Sequence, residues 1–135
     1  MADKAKQLAE QIRTLGKNVK LGTASDADWF NIAKEIFGTE EVSKSQLEAL
    51  KTFFKNASLS DAQIAAFAEY YDISESVIRN AYGEYAKGVA LGAQDLQKQI
   101  LENYAKVLKG ELTDADIAAL DGNVGAAVQE FAKNT

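Results

Sequence analysis

Twenty carboxylates and fifteen basic side chains stand in this 135-residue chain, with no histidine and no cysteine. Those two absences remove the usual general base near neutral pH, the thiolate nucleophile and the best soft-metal ligands together. Oxygen chemistry is what is left. Asp114, Asp116, Asp121 and Asn123 form an oxygen-rich run. A calcium loop also needs ligands at alternate positions, a central glycine and a closing glutamate, and that pattern is missing. Asp116 reads instead as the acid of a helix capping box and Asp114 as a favourable first-turn charge. The same reading covers Asp26 and Asp28. Paired carboxylates do acid–base work in glycosidases, but no pair here is set apart from the rest. The serines have no histidine base, no lysine is distinguished by its neighbours, and no glycine-rich phosphate loop occurs. The chain therefore reads as non-enzymatic, with no cofactor and no metal.

Aromatic residues carry more promise. Four of the five tyrosines fall between positions 70 and 85: Tyr70, Tyr71, Tyr82 and Tyr85. Tyr71 and Tyr85 fit apolar helix stripes, which puts Tyr70 and Tyr82 nearer the surface. Two adjacent pairs, Trp29–Phe30 and Phe53–Phe54, each place one ring inward and the other outward on a helix. Tyrosine is favoured at interfaces because it brings contact area with few rotors and a polar tip. Phe30, Phe53, Tyr70 and Tyr82 are thus the candidate protein-contact residues.

The elements that hold these residues announce their own starts. Ser25 with Asp28, Ser43 with Gln46, Ser60 with Gln63, and Thr113 with Asp116 all have capping-box spacing. Val42 with Leu47, Leu59 with Ile64, Ile73 with Ile78, and Leu112 with Ile117 fit hydrophobic staples across helix starts. Apolar residues recur near every 3.6 positions and no segment alternates with period two. The expected helices are 3–20, 25–37, 43–55, 60–71, one starting near Ser74, 95–109, a short one from Thr113, and 124–133. Gly38 should end the second helix in a left-handed cap. Gly83, Gly88 and Gly92 weaken the fifth, so a break is expected before Asp95. There is no proline to break any of them. The expected fold is one all-α domain over residues 1–135, with six to eight short helices and an αα-corner near residues 60–82. Leu59–Phe67 and Leu112–Leu120 share a similar pattern, which repeated capping also produces.

Residues 67–82 read FAEYYDISESVIRNAY. With the helix before it, from Ser60, this segment resembles the helix-turn-helix of phage-repressor-like DNA-binding domains. Ala68 falls at the small position where two helices approach, and Ile73 at the apolar turn position. Ser74 falls at the cap of the second helix, and Ile78 and Ala81 at its buried positions. The resemblance implies a recognition helix whose groove-facing residues are Glu75, Ser76, Arg79 and Asn80. Arg and Asn have the geometry that reads guanine and adenine edges. Asp72 departs from the family, which usually has glycine there, and Glu75 would repel a phosphate. Small terminase subunits of phages also combine such a motif with a helical remainder.

Charge is unevenly spread. Residues 1–22 hold five bases and two acids, whereas residues 23–135 hold ten bases and eighteen acids. A basic first helix thus precedes an acidic body. Residues 43–88 hold five bases and six acids, so no basic patch accompanies the motif. An acidic body opposes non-specific nucleic-acid binding. At 47% hydrophobic and 26% charged residues the chain is an ordinary globular one. No apolar run reaches bilayer length, and the opening residues lack the apolar core of a secretory leader. A cytoplasmic setting is expected, or a virion-internal one for a phage protein. The leading expectation is a binding or structural module that acts through protein contacts or self-association, as part of an oligomer or a phage or bacterial assembly. The alternative is a helix-turn-helix DNA-binding protein, a regulator or small-terminase-like.

Overall fold

Four reciprocal capping boxes set the starts of four helices. Ser25, Ser43, Ser60 and Thr113 each accept the backbone N–H three residues on, and each returns its own N–H to the side chain found there. Each box satisfies two donors that the first turn would otherwise leave unpaired. The computed structural model describes residues 2–135, and every regular element among them is a helix. These are α1 (Ala2–Leu21), α2 (Asp26–Phe37), α3 (Lys44–Lys55), α4 (Asp61–Tyr70), α5 (Glu75–Leu108), α6 (Asp114–Ala118) and α7 (Gly122–Lys133). The all-α class and the helix number agree with the sequence reading. Gly38 closes α2 at φ 66°, where its N–H bonds the Lys34 carbonyl. No helix among the described residues is long and apolar enough to cross a membrane.

The core lies among α1 to α4 and the first half of α5. Ile12 and Leu15 come from α1, Trp29, Ile32, Ala33 and Ile36 from α2, and Leu50, Phe53 and Phe54 from α3. Ile64 and Ala68 of α4 meet Ile78, Ala81 and Tyr85 of α5. An aromatic triangle stands at its centre. Trp29 lies 6.0 Å from Phe54 and 5.8 Å from Tyr85, and Phe54 lies 5.0 Å from Tyr85, ring centre to ring centre. Burial pushes the Tyr85 hydroxyl up from its ordinary range.

One expectation fails. The break before Asp95 does not exist, and α5 runs unbroken for 34 residues. Its glycines explain this. A Cβ on Gly88 would stand 1.9 Å from the Arg13 carbonyl oxygen, and one on Gly92 would stand 2.7 Å from that of Lys17. Gly16 of α1 answers them, for its Cβ would stand 2.3 Å from the Tyr85 carbonyl oxygen. The backbones of α1 and α5 therefore touch, and the close contact outweighs the weaker helix propensity of glycine, about 1 kcal/mol per residue. Arg13 bonds Glu84 at 2.9 Å and Lys17 bonds Asp95 at 2.8 Å. Residue numbers rise together along both helices, so α1 and α5 run parallel. Part of the basic excess of α1 is answered inside the chain by these two carboxylates.

Beyond Asp95, α5 leaves α1 and packs on α7. Tyr104 stacks on Phe131 at 4.0 Å and 15°. α7 starts against the end of α1, where the Asn123 side-chain amide donates to the Lys20 carbonyl at 2.7 Å. The positive N-terminal end of one helix thereby meets the carbonyl end of another.

Candidate protein-contact surface

An open groove of about 740 Å³ runs between α3 and α4. Its lining is mostly apolar, with Ala49, Thr52 and Phe53 from α3, Leu59 from the connection, and Ala66, Phe67 and Tyr70 from α4. Ser45, Glu48 and Gln63 supply polar groups among these residues. Helical spacing produces the arrangement. Ala66 and Tyr70 are four apart on α4, and Ala49 and Phe53 four apart on α3, so each pair shares a face. Small Ala49 and Ala66 leave the space that the rings border.

Tyr70 is 81% exposed and is the most exposed of the large apolar side chains among the described residues. Its ring stands edge-on against Tyr71, 4.7 Å between centres, and Tyr71 packs on Phe67 at the same distance. The ring is thus backed by others rather than loose. Phe53 does not fit the expectation of an outward ring. It is 6% exposed, and Phe54 is 2% exposed. The reason is that α3 is covered on two sides. Phe54 meets the Trp29–Tyr85 cluster, and Phe53 meets Phe67 at 4.2 Å and Tyr82 at 5.8 Å. Phe53 therefore belongs to the core, although it also lines the groove.

Tyr82 is half-buried, and its hydroxyl donates to the Asn56 carbonyl at 2.6 Å. It braces the end of α3 from behind the groove. Phe30 lies apart on α2, half-buried, with the Lys34 ammonium 5.2 Å from its ring centre. The structure thus brings three of the four aromatic candidates together and leaves Phe30 outside. Sequence reasoning missed Phe67, Ala49 and Ala66. Their i, i+4 partners were visible, but which two helices lie side by side was not.

The segment that resembles a helix-turn-helix shares α4 with the groove and turns from it into α5. Asp72 adopts φ 54°, the left-handed conformation that glycine more often supplies. The Ile73 N–H returns to the Ala68 carbonyl at 2.8 Å. Ala68, Ile78 and Ala81 are buried, and Glu75, Ser76 and Asn80 are exposed. Ser74 stands at the cap position but its side chain makes no capping bond. Its hydroxyl lies 2.9 Å from that of Ser76. Arg79 is held by Asp61 and Glu75, each at 2.7 Å. Those hydrogen bonds raise its already high pKa further. Residues 60–82 carry four acids (Asp61, Glu69, Asp72, Glu75) and one base, Arg79.

Asp116, read in the sequence as the acid of a capping box, accepts the Thr113 N–H at 2.9 Å. That bond holds its carboxyl below the usual range. Comparison of the chain with protein-family models, with curated proteins and with solved structures finds no match.

Proposed function

We propose that this chain is a non-enzymatic binding module that works through protein contacts, with the α3–α4 groove as its contact surface. The observation that carries the reading is Tyr70, 81% exposed yet backed by Tyr71 at the edge of an apolar groove. A rigid aromatic beside a concave apolar strip is what a hot-spot contact needs, because little side-chain entropy is lost on binding. The groove suits one or two apolar side chains of a partner helix or extended segment, with Glu48 and Gln63 beside them as polar partners. No cofactor enters this reading.

A second reading is DNA binding through Arg79 and Asn80. Its specific support is the left-handed Asp72, which lets α4 and α5 turn as the resemblance requires. Local charge weighs against it. Arg79 must give up two short ion pairs before it meets a base or a phosphate, and the acids around it repel the backbone.

A photo-crosslinking residue at position 70, with a control at Glu35 on α2, tests the first reading in the native cell. Discrete protein adducts at 70 that disappear when Ala66→Asp blocks the groove support it. Equal labelling at both positions overturns it. Fluorescence anisotropy with a random DNA duplex tests the second. Binding that weakens steeply between about 50 and 200 mM salt, and is lost in Arg79→Ala, would move the assignment to DNA.

A further inference from the structure

The second half of α5 is covered on one side only. α7 lies against it, and Leu96, Ile100, Tyr104 and Val107 are half-buried. The opposite side bears Leu101 at 57% and Leu108 at 70% exposure, with Leu91 at 46% closer to the core. Leu91, Gln94, Lys98, Leu101, Ala105 and Leu108 follow one another at alternating steps of three and four residues. That is the spacing of a coiled-coil seam, and at 1.5 Å per residue it extends over about 25 Å. Lys98 is its one charged member, and Glu102 borders it. Both are exposed, and neither takes part in an ion pair among the described residues.

We propose that this face pairs with the same face of a second copy of the chain, antiparallel, about a two-fold axis near Gln99 and Ile100. The leucines fit that alignment, and the charges select it over a parallel one. For the leucines, Leu91 of each copy meets Leu108 of the other, and the two Leu101 side chains flank the axis. For the charges, Lys98 of each copy meets Glu102 of the other, so two ion pairs form about the axis. A parallel pair in register sets Lys98 against Lys98 and Glu102 against Glu102, which repels. The two-fold also closes the assembly, so the contact yields dimers and not filaments. A single helix pair of this length is small for a specific interface, so the dimer is weak and reversible. The pairing is independent of the α3–α4 groove and stands if that reading fails.

Sedimentation equilibrium of the full chain from about 5 to 500 µM reads the association directly. Lys98→Glu or Glu102→Lys alone should weaken it about ten-fold, and the two together should restore it. All five residues named in these swaps and in the leucine row are exposed, and unchanged far-UV circular dichroism confirms the fold of each variant. The alignment has its own test, because the chain contains no cysteine. Leu91→Cys and Leu108→Cys should link to each other in a mixture and not each to itself. Self-linking at both 91 and 108 means a parallel pair and overturns the proposal. A monomer at every concentration also overturns it, and leaves the leucine row to a different protein.

Discussion

Gly83 and Gly88 lie five residues apart on α5, yet alanine at the two positions should act in opposite directions. Nothing lies within 4 Å of a Cβ built on Gly83. Gly83→Ala therefore gains helix propensity without a clash, and should stabilise the protein by about 0.5–1 kcal/mol. At Gly88 the new Cβ would stand 1.9 Å from the Arg13 carbonyl oxygen, 2.8 Å from the carbonyl carbon and 3.0 Å from the Lys17 nitrogen. All three are backbone atoms, so no side chain can rotate away. Reaching an ordinary contact means that α1 and α5 separate by about 1.5 Å, which loosens dispersion contacts along the crossing. Overpacking of this kind costs about 1–3 kcal/mol, against which the same propensity gain of about 0.5–1 kcal/mol counts. The net expectation is a loss of about 1–2 kcal/mol, or roughly 3–10 °C in Tm for a chain of this length. Thermal and urea unfolding followed at 222 nm reads both variants. If Gly88→Ala matches or exceeds the parent in stability, the α1–α5 backbone contact is wrong. If the two variants shift together, propensity alone governs α5 and the account of its glycines fails.

Acid should expose the Arg13–Glu84 pair. The Arg13 guanidinium, with help from Lys87, holds Glu84 below its ordinary value of 4.5. The folded state thus favours the charged carboxylate; its contribution is complete above that ordinary value and fades as pH falls through the lower folded one. Glu84→Gln should therefore reduce stability near pH 6 and leave it close to the parent near pH 2–3, read as urea midpoints at the two ends. Capping gives a contrast of two serines. Ser43→Ala removes a reciprocal box and should cost about 1 kcal/mol, whereas Ser74→Ala removes no capping bond and should cost well under ~0.5 kcal/mol by the same unfolding assay. Tyr82→Phe deletes the donor to the Asn56 carbonyl and keeps the ring on Phe53, so a loss of about 1 kcal/mol with an intact fold is expected.

The parts of this fold that were readable from the sequence are those settled within a few residues. The boxes at Ser25, Ser43, Ser60 and Thr113 each close over three positions, and no distant contact competes with them. Gly38 likewise needs only its own φ. The misread parts depend on partners far along the chain. Gly88 and Gly92 look like weak points when α5 is considered alone, and become contact points only beside Arg13 and Lys17 of α1. Phe53 sits outward by the alternation of adjacent rings on one helix, but Phe67 and Tyr82 arrive from two later helices to cover it. The Glu75–Arg79 pair has i, i+4 spacing and was open to inspection; Asp61, eighteen residues away from Arg79, was not. The groove has the same character. Each of its walls is a short helical repeat, but the groove itself exists only because α3 and α4 lie side by side.

The length of α5 ties the two proposed surfaces together without mixing them. Its first half is core, held by the glycine contacts with α1. There Tyr82 supports the groove through Phe53 and the Asn56 carbonyl. Its second half carries the leucine row, and Leu101 lies about 28 Å further along the same helix. A contact at one end therefore leaves the other uncovered, and an antiparallel dimer joined near Leu101 holds its two grooves at opposite ends of a rigid span. Two weak groove contacts on one assembly reinforce each other when the partner is itself multivalent. This gives the unbroken helix a consequence for binding. Two copies of Gly–Gly–Gly or another flexible insert after Ala93 should leave the intrinsic groove contact of the monomer unchanged, and should weaken capture of a multivalent partner, because the span no longer holds the grooves in a fixed relation.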